Sequence, residues 1–134
     1  MPEKTMKVLQ IVEPGQAEWR DVPTPEPEAG EVLVKVNGVT TCPHWDMHIM
    51  DGVPMMEGLP LPYPYYPGQP GHEVVGEVAA VGAGVTGFEP GQRVAVWRDG
   101  GPTRKGGYAQ YVPILAQNLL IVPDDLAPEA IASL

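Results

Sequence analysis

The 134-residue sequence predicts a mainly β domain with short helical pieces. Three observations carry that expectation. Gly 16 and Pro 17 make up roughly a quarter of the chain, and they punctuate short Val-rich runs at regular intervals, as in a sheet of short strands. The run "EVLVKVNGVT" alternates cleanly, with Val32, Val34 and Val36 on one face and Lys35 and Asn37 on the other. Only two segments read as helical, and both are short. At this length the chain is one domain, residues 1–134.

In chain order, "KVLQIV" (Lys7 to Val12) is a first strand, and "EWRDVPTPEPEAG" carries a second into a Pro/Glu link that turns at Gly30. The alternating run after Gly30 is the third. Beyond Cys42, "PHWDMHIMDG" is a turn or one short helical piece. The following "VPMMEGLPLPYPYYPGQP" is too Pro-rich for helix or central strand, so it forms a long loop. Further strands are expected at Val74 to Val81, Arg93 to Trp97, Gly107 to Val112 and Leu119 to Val122. "PDDLAPEAIASL" opens a helix, with Asp124 and Asp125 near its start and Pro128 in a first-turn position.

Composition excludes several functions. No stretch of roughly 18 apolar residues exists, and "MPEKTMKVLQ" lacks the apolar core of a signal peptide, so no membrane association and a cytoplasmic location are expected. Cys42 is the single cysteine, which rules out an internal disulfide framework. A net charge of −9, with scattered Lys and Arg, argues against nucleic acid as a partner.

"GAGVTG" (Gly82 to Gly87) fits the G-x-G-x-x-G pattern of dinucleotide-binding chains. That pattern holds phosphate only where a strand enters and a helix leaves, because the helix N-terminus supplies the N–H groups. Here "HEVVGEVAAV" enters as a strand, but Pro90 and Gly91 break any helix and a new strand starts near Arg93. The glycines are therefore expected to form a turn between strands and to bind no nucleotide.

The chemistry lies in two stretches. "TTCPHWDMH" holds Cys42, His44, Asp46 and His48, and "GQPGHEVVGE" adds His72 and Glu73 just before a strand. All three histidines and the one cysteine thus fall in two loops at strand ends. Taken singly, a buried cysteine is a small hydrophobe and loop histidines bind nothing. Taken together, thiolate, imidazole and carboxylate suit zinc, and three protein ligands with an open position define a catalytic site. No C-x₂-C pair exists to close a structural zinc site, and the order and spacing of Cys and His do not match a blue-copper loop.

The strings "PEPEAGEVLVKV", "PGHEVVGEVAAVGAGVTGFEPGQRV" and "GGYAQYV", with Cys42 between the first two, resemble the catalytic, GroES-like domain of the zinc-dependent medium-chain alcohol dehydrogenases over nearly the whole chain. The resemblance implies a partly open GroES-like β-barrel and a domain that takes part in hydride transfer between a small alcohol, aldehyde or ketone and NAD(P). It implies that Cys42 and His72 bind catalytic zinc with Glu73 in or near the coordination shell, that Asp46 orients His72, and that His44 or His48 relays the alcohol proton. In that family the Asp and His follow the Cys by three and five residues, whereas here Asp46 and His48 follow by four and six.

Other departures shape further expectations. "WRDGGPTRKGGYAQYV" has no cysteine lobe for a structural zinc. The Cys42–His72 interval is longer than usual, and Met55, Met56, Tyr63, Tyr65 and Tyr66 in it either line an apolar substrate pocket or belong to a loop pinned by prolines over the barrel. The Rossmann domain that holds NAD(P) in the family is not in these residues, so the chain is expected to be inactive alone. Two other readings stay open: a zinc-free reductase of the quinone oxidoreductase type, and a non-enzymatic GroES-like metal-binding or oligomerising module. Apolar residues of "VPILAQNLLIV" and "LAPEAIASL" are expected to form an exposed face, either covered in a homodimer or leaving the C-terminal segment frayed.

Overall fold

The computed structural model describes residues 2–58, 61–98 and 105–132, and there the chain builds two antiparallel sheets. Strands β1 (Thr5–Glu13) and β2 (Gln16–Pro23) form a hairpin paired from Thr5↔Pro23 to Glu13↔Gln16. Strands β3 (Glu31–Thr40), β4 (Glu73–Val81), β5 (Arg93–Val96), β6 (Tyr111–Leu115) and β7 (Leu119–Ile121) form a sheet in the order β6-β3-β4-β5-β7. The hairpin joins it through a bridge between Val8 and Ala109 and a bond from the Leu9 N–H to the Tyr108 carbonyl (2.8 Å). The sheets do not close on each other, so the architecture is the mainly β, partly open barrel expected. No helix among the described residues is long and apolar enough to cross a membrane.

The core follows from the strand alternation. Val32 and Val34 on β3, Val74 and Val78 on β4, Val94 on β5 and Val112 on β6 are all exposed by 2% or less. Each such side chain contributes about 1.5–3 kcal/mol by leaving water. Beyond simple alternation, Leu33 is also buried (1%), its face bordered by Pro25, Pro27 and Ala80. The β3–β4 register shifts between Val36 and Gly38, where Asn37 is the extra residue of a bulge.

Most sequence-derived elements stand within a residue or two; three need comment. Residues 82–91 are a turn, with the Gly91 N–H on the Val78 carbonyl (2.8 Å) and β5 starting at Arg93. The strand expected from Gly107 begins only at Tyr111, opposite Lys35, because residues 107–110 turn aside to meet β1. The C-terminal helix α2 is one turn, Pro128–Ile131, and it is packed: Ile131 and Ala132 are buried against Val75 and Ala95. The apolar residues expected to form an exposed face therefore divide, with Leu120 (47%), Ile121 (53%) and Leu126 (42%) facing outward. The stretch 99–104, in the segment where the sequence lacks a cysteine lobe, lies outside the described residues.

Candidate functional site

Strands β3 and β4 run antiparallel with Thr40 opposite Glu73. The residues just after β3 and just before β4 therefore emerge at the same end of the sheet, and these are Cys42 and His72. Helix α1 (Pro43–Asp51) starts there, with Cys42 as its N-cap and Pro43 in the first position, where a missing N–H costs nothing. Left-handed Gly52 ends it.

The Cys42 N-cap side chain makes no cap bond, and Asp46 takes over. The Asp46 N–H donates to the Cys42 carbonyl (2.9 Å), and Asp46 Oδ2 accepts from the Cys42 N–H (3.3 Å). The same Oδ2 accepts the Tyr108 hydroxyl at 2.5 Å. On the neighbouring strand, Thr40 Oγ1 donates to Glu73 Oε2 at 2.5 Å. His72 Nδ1 lies 2.9 Å from the Pro70 carbonyl. A carbonyl only accepts, so Nδ1 is the donor to Pro70, and Nε2 is the nitrogen left to face a ligand. Trp45 packs near that ring, centroids 6.3 Å apart.

The structure thus brings Cys42, Asp46, His72 and Glu73 to one end of the sheet. His44 and His48 occupy another face of α1, stacked edge to face at 4.9 Å and lining a shallow groove with Met47, Asp51 and Val53. His48 Nδ1 is held there by the Val53 carbonyl (3.0 Å). His72 is oriented by Pro70, while Asp46 reaches Cys42 and Tyr108. Two polar atoms at this end, Asp46 Oδ1 and Trp45 Nε1, are buried without a hydrogen-bond partner. Among the described residues, no three His, Cys, Asp or Glu side chains stand gathered as a ready-made metal cage.

Tyr108 is the residue that sequence reasoning missed. Its only signal is the Gly106-Gly107 pair before it, which marks a close backbone approach. Burial, then the Asp46 hydrogen bond, then the negative charges of Asp46, Cys42 and Glu73 push its phenol well above the usual tyrosine value. A folded-state value raised above the unfolded one contributes stability that is fully present below pH about 10 and is lost as the phenol ionises at more alkaline pH. Ultraviolet titration is expected to show a strongly alkaline tyrosine step that Tyr108→Phe removes and Asp46→Asn moves partway back. A Tyr108→Phe curve superimposable on that of the parent would contradict this placement.

The two readings of the Pro/Tyr/Met loop resolve for its tyrosines. Tyr65 is fully buried with Ile11 and Ile49, and Tyr63, Tyr66, Trp45 and Leu61 pack around it, so the tyrosines form a small core beneath α1. Tyr63 donates its hydroxyl to the Ile49 carbonyl (2.6 Å), which also accepts the Gly52 N–H at the end of α1 (3.4 Å). Met56 is 57% exposed, and Leu59 and Pro60 lie outside the described residues.

Comparison with known proteins agrees with this fold. Residues 28–124 match the family described as the alcohol dehydrogenase GroES-like domain. An acryloyl-coenzyme A reductase from Metallosphaera sedula is 43% identical over 77 residues, covering 58% of this chain and 21% of that protein. An alcohol dehydrogenase from Geobacillus stearothermophilus is 33% identical over 139 residues, covering 86% of this chain and 39% of that one. The structure of an acetophenone reductase from Geotrichum candidum in complex with NAD superposes with a TM-score of 0.78 at 28% identity, over 98% of this chain and 44% of that one. The chain spans 21% to 43% of the length of the curated relatives it matches.

Proposed function

Because the chain belongs to the alcohol dehydrogenase GroES-like domain family, we propose that it is the catalytic-domain part of a zinc-dependent dehydrogenase or reductase that exchanges hydride between a small alcohol, aldehyde or ketone and NAD(P). The nicotinamide cofactor is held by a domain outside these 134 residues, a reading supported by the NAD complex of the acetophenone reductase. The observation that carries the proposal is the Thr40–Glu73 pairing, which brings the end of β3 and the start of β4, and with them the segments carrying Cys42 and His72, to one end of the sheet.

The donor set fits zinc in kind. Cys42 supplies a thiolate, His72 an Nε2 already selected by the Pro70 bond, and Glu73 a carboxylate steadied by Thr40. The buried, unpartnered Asp46 Oδ1 shows that this end of the sheet has polar capacity in reserve. Bound zinc supplies Lewis acidity toward the substrate oxygen. Asp46 keeps Cys42 in place at the mouth of α1. His44 or His48, adjacent on the groove face of α1, would relay the alcohol proton toward water.

Anaerobic reconstitution followed by elemental analysis is expected to give about one zinc per chain, and Cys42→Ser with His72→Ala to abolish it. One observation favours a second reading: no three donors stand gathered among the described residues, as in a zinc-free reductase of the quinone oxidoreductase type. Reconstituted protein free of metal would establish that reading and remove the first.

A further inference from the structure

We propose that Tyr108 is a positioning residue that clasps together the two loops carrying Cys42 and His72. The inference rests on the reading of those two residues as metal ligands. Tyr108 touches both arms. Toward the first, its hydroxyl donates to Asp46 Oδ2 at 2.5 Å, the oxygen that also accepts the Cys42 N–H. The Asp46 N–H donates to the Cys42 carbonyl as the first backbone bond of α1, so residue 46 meets both the N–H and the carbonyl of Cys42. Toward the second arm, Tyr108 lies against Gly71, the residue before His72. A Cβ added at Gly71 would come 2.8 Å from the Tyr108 nitrogen and 3.1 Å from its ring.

Tyr108 is itself fixed by its backbone. Its N–H donates to the Gly68 carbonyl (3.0 Å), its carbonyl accepts the Leu9 N–H (2.8 Å), and the preceding Gly107 N–H donates to Gly71 (2.7 Å). The phenol is thus a fixed post. Through Asp46 it sets where Cys42 stands, and through Gly71 it sets where His72 stands. Groups that orient metal ligands from outside the coordination shell change affinity by about 10–100-fold when removed.

The test uses the 134-residue chain and its Tyr108→Phe and Asp46→Asn variants, singly and together, with Tyr111→Phe as a control on the same segment. Zinc affinity by chelator competition is expected to fall about tenfold or more in Tyr108→Phe, with no further loss in the double variant, since both changes break one chain of bonds. With cobalt(II) as probe, the thiolate-to-metal absorption is expected to weaken in Tyr108→Phe and to persist in Tyr111→Phe, a signature that a general loss of stability does not reproduce. Unchanged affinity and spectrum in Tyr108→Phe would overturn the proposal while leaving the zinc reading intact. If the parent chain takes up no metal, that reading fails and the clasp is judged by amide exchange: faster exchange at Cys42 and Asp46 in Tyr108→Phe supports it, and unchanged exchange overturns it.

Discussion

Tyr65→Ala is expected to destabilise the domain by about 3–5 kcal/mol, the range for truncating a buried aromatic side chain. Tyr65 is fully buried between Ile11 of β1 and Ile49 of α1. Its ring meets Tyr66 at 5.2 Å and Tyr63 at 6.2 Å between centroids. The backbone bonds at this residue, from its N–H to Ile11 and from Gln10 Nε2 to its carbonyl, survive the substitution, so the loss reports the side chain. Helix α1 rests on this small cluster and is too short to persist without packing. Urea denaturation measures the loss, and amide exchange is expected to show α1 opening before the main sheet. A cost below about 1 kcal/mol would mean that the loop is not the floor of α1.

Gly68→Ala is expected to cost about 2–5 kcal/mol, and it carries its own control. Gly68 sits at φ 79°, where an L side chain is strained by about 1–2 kcal/mol. An added Cβ would also lie 2.2 Å from the Gly106 carbonyl oxygen, a clash relieved only by moving backbone, at about 1–3 kcal/mol. Gly15 has nearly the same φ, 80°, with nothing within 4 Å of an added Cβ. Gly15→Ala therefore reports the backbone strain alone, and the difference between the two variants isolates the close approach. The Gly68 carbonyl accepts the N–H groups of both Gly71 and Tyr108 (3.1 and 3.0 Å), so the substitution is expected to speed amide exchange at those two residues as well. Equal costs at the two glycines would refute the close contact.

The fold was legible where local pattern and burial agree. Strand β3 was readable to its ends because its valines alternate and a turn precedes it. Helix α1 was visible only as a turn or short helical piece, because "PHWDMHIMD" has a weak apolar stripe; its clearest marks are the Pro that opens it and the Gly that closes it. The tyrosines of the long loop could not be placed, since whether they line a pocket or fill a core depends on what β1 and α1 bring to them. Of the candidate site, the two arms could be read from residue type and spacing. The joint between them could not: Asp46 and Tyr108 are 62 residues apart, and their meeting depends on residues 107–110 leaving the strand early to join β1. A one-dimensional pattern carries no trace of that detour beyond two adjacent glycines.

The ladder between β3 and β4 has a bearing on how such a chain tolerates insertion and deletion over its descent. Cys42 and His72 flank the paired ends of β3 and β4, and of the stretch between them the part around Met56, 57% exposed, lies outside the cluster that Tyr65 anchors. Residues gained between Val53 and Leu61 leave the end of the sheet where it was, because closing a longer surface loop adds little entropy cost. The bulge at Asn37 does the same inside the strand: Val36 pairs with Gly76 and Gly38 with the next residue, Val75, so the ladder absorbs one extra residue and still sets Thr40 opposite Glu73. Loss of Asn37 would only make that ladder regular, whereas a residue lost between Gly38 and Thr40 would shift every pair beyond it and move Cys42 relative to His72.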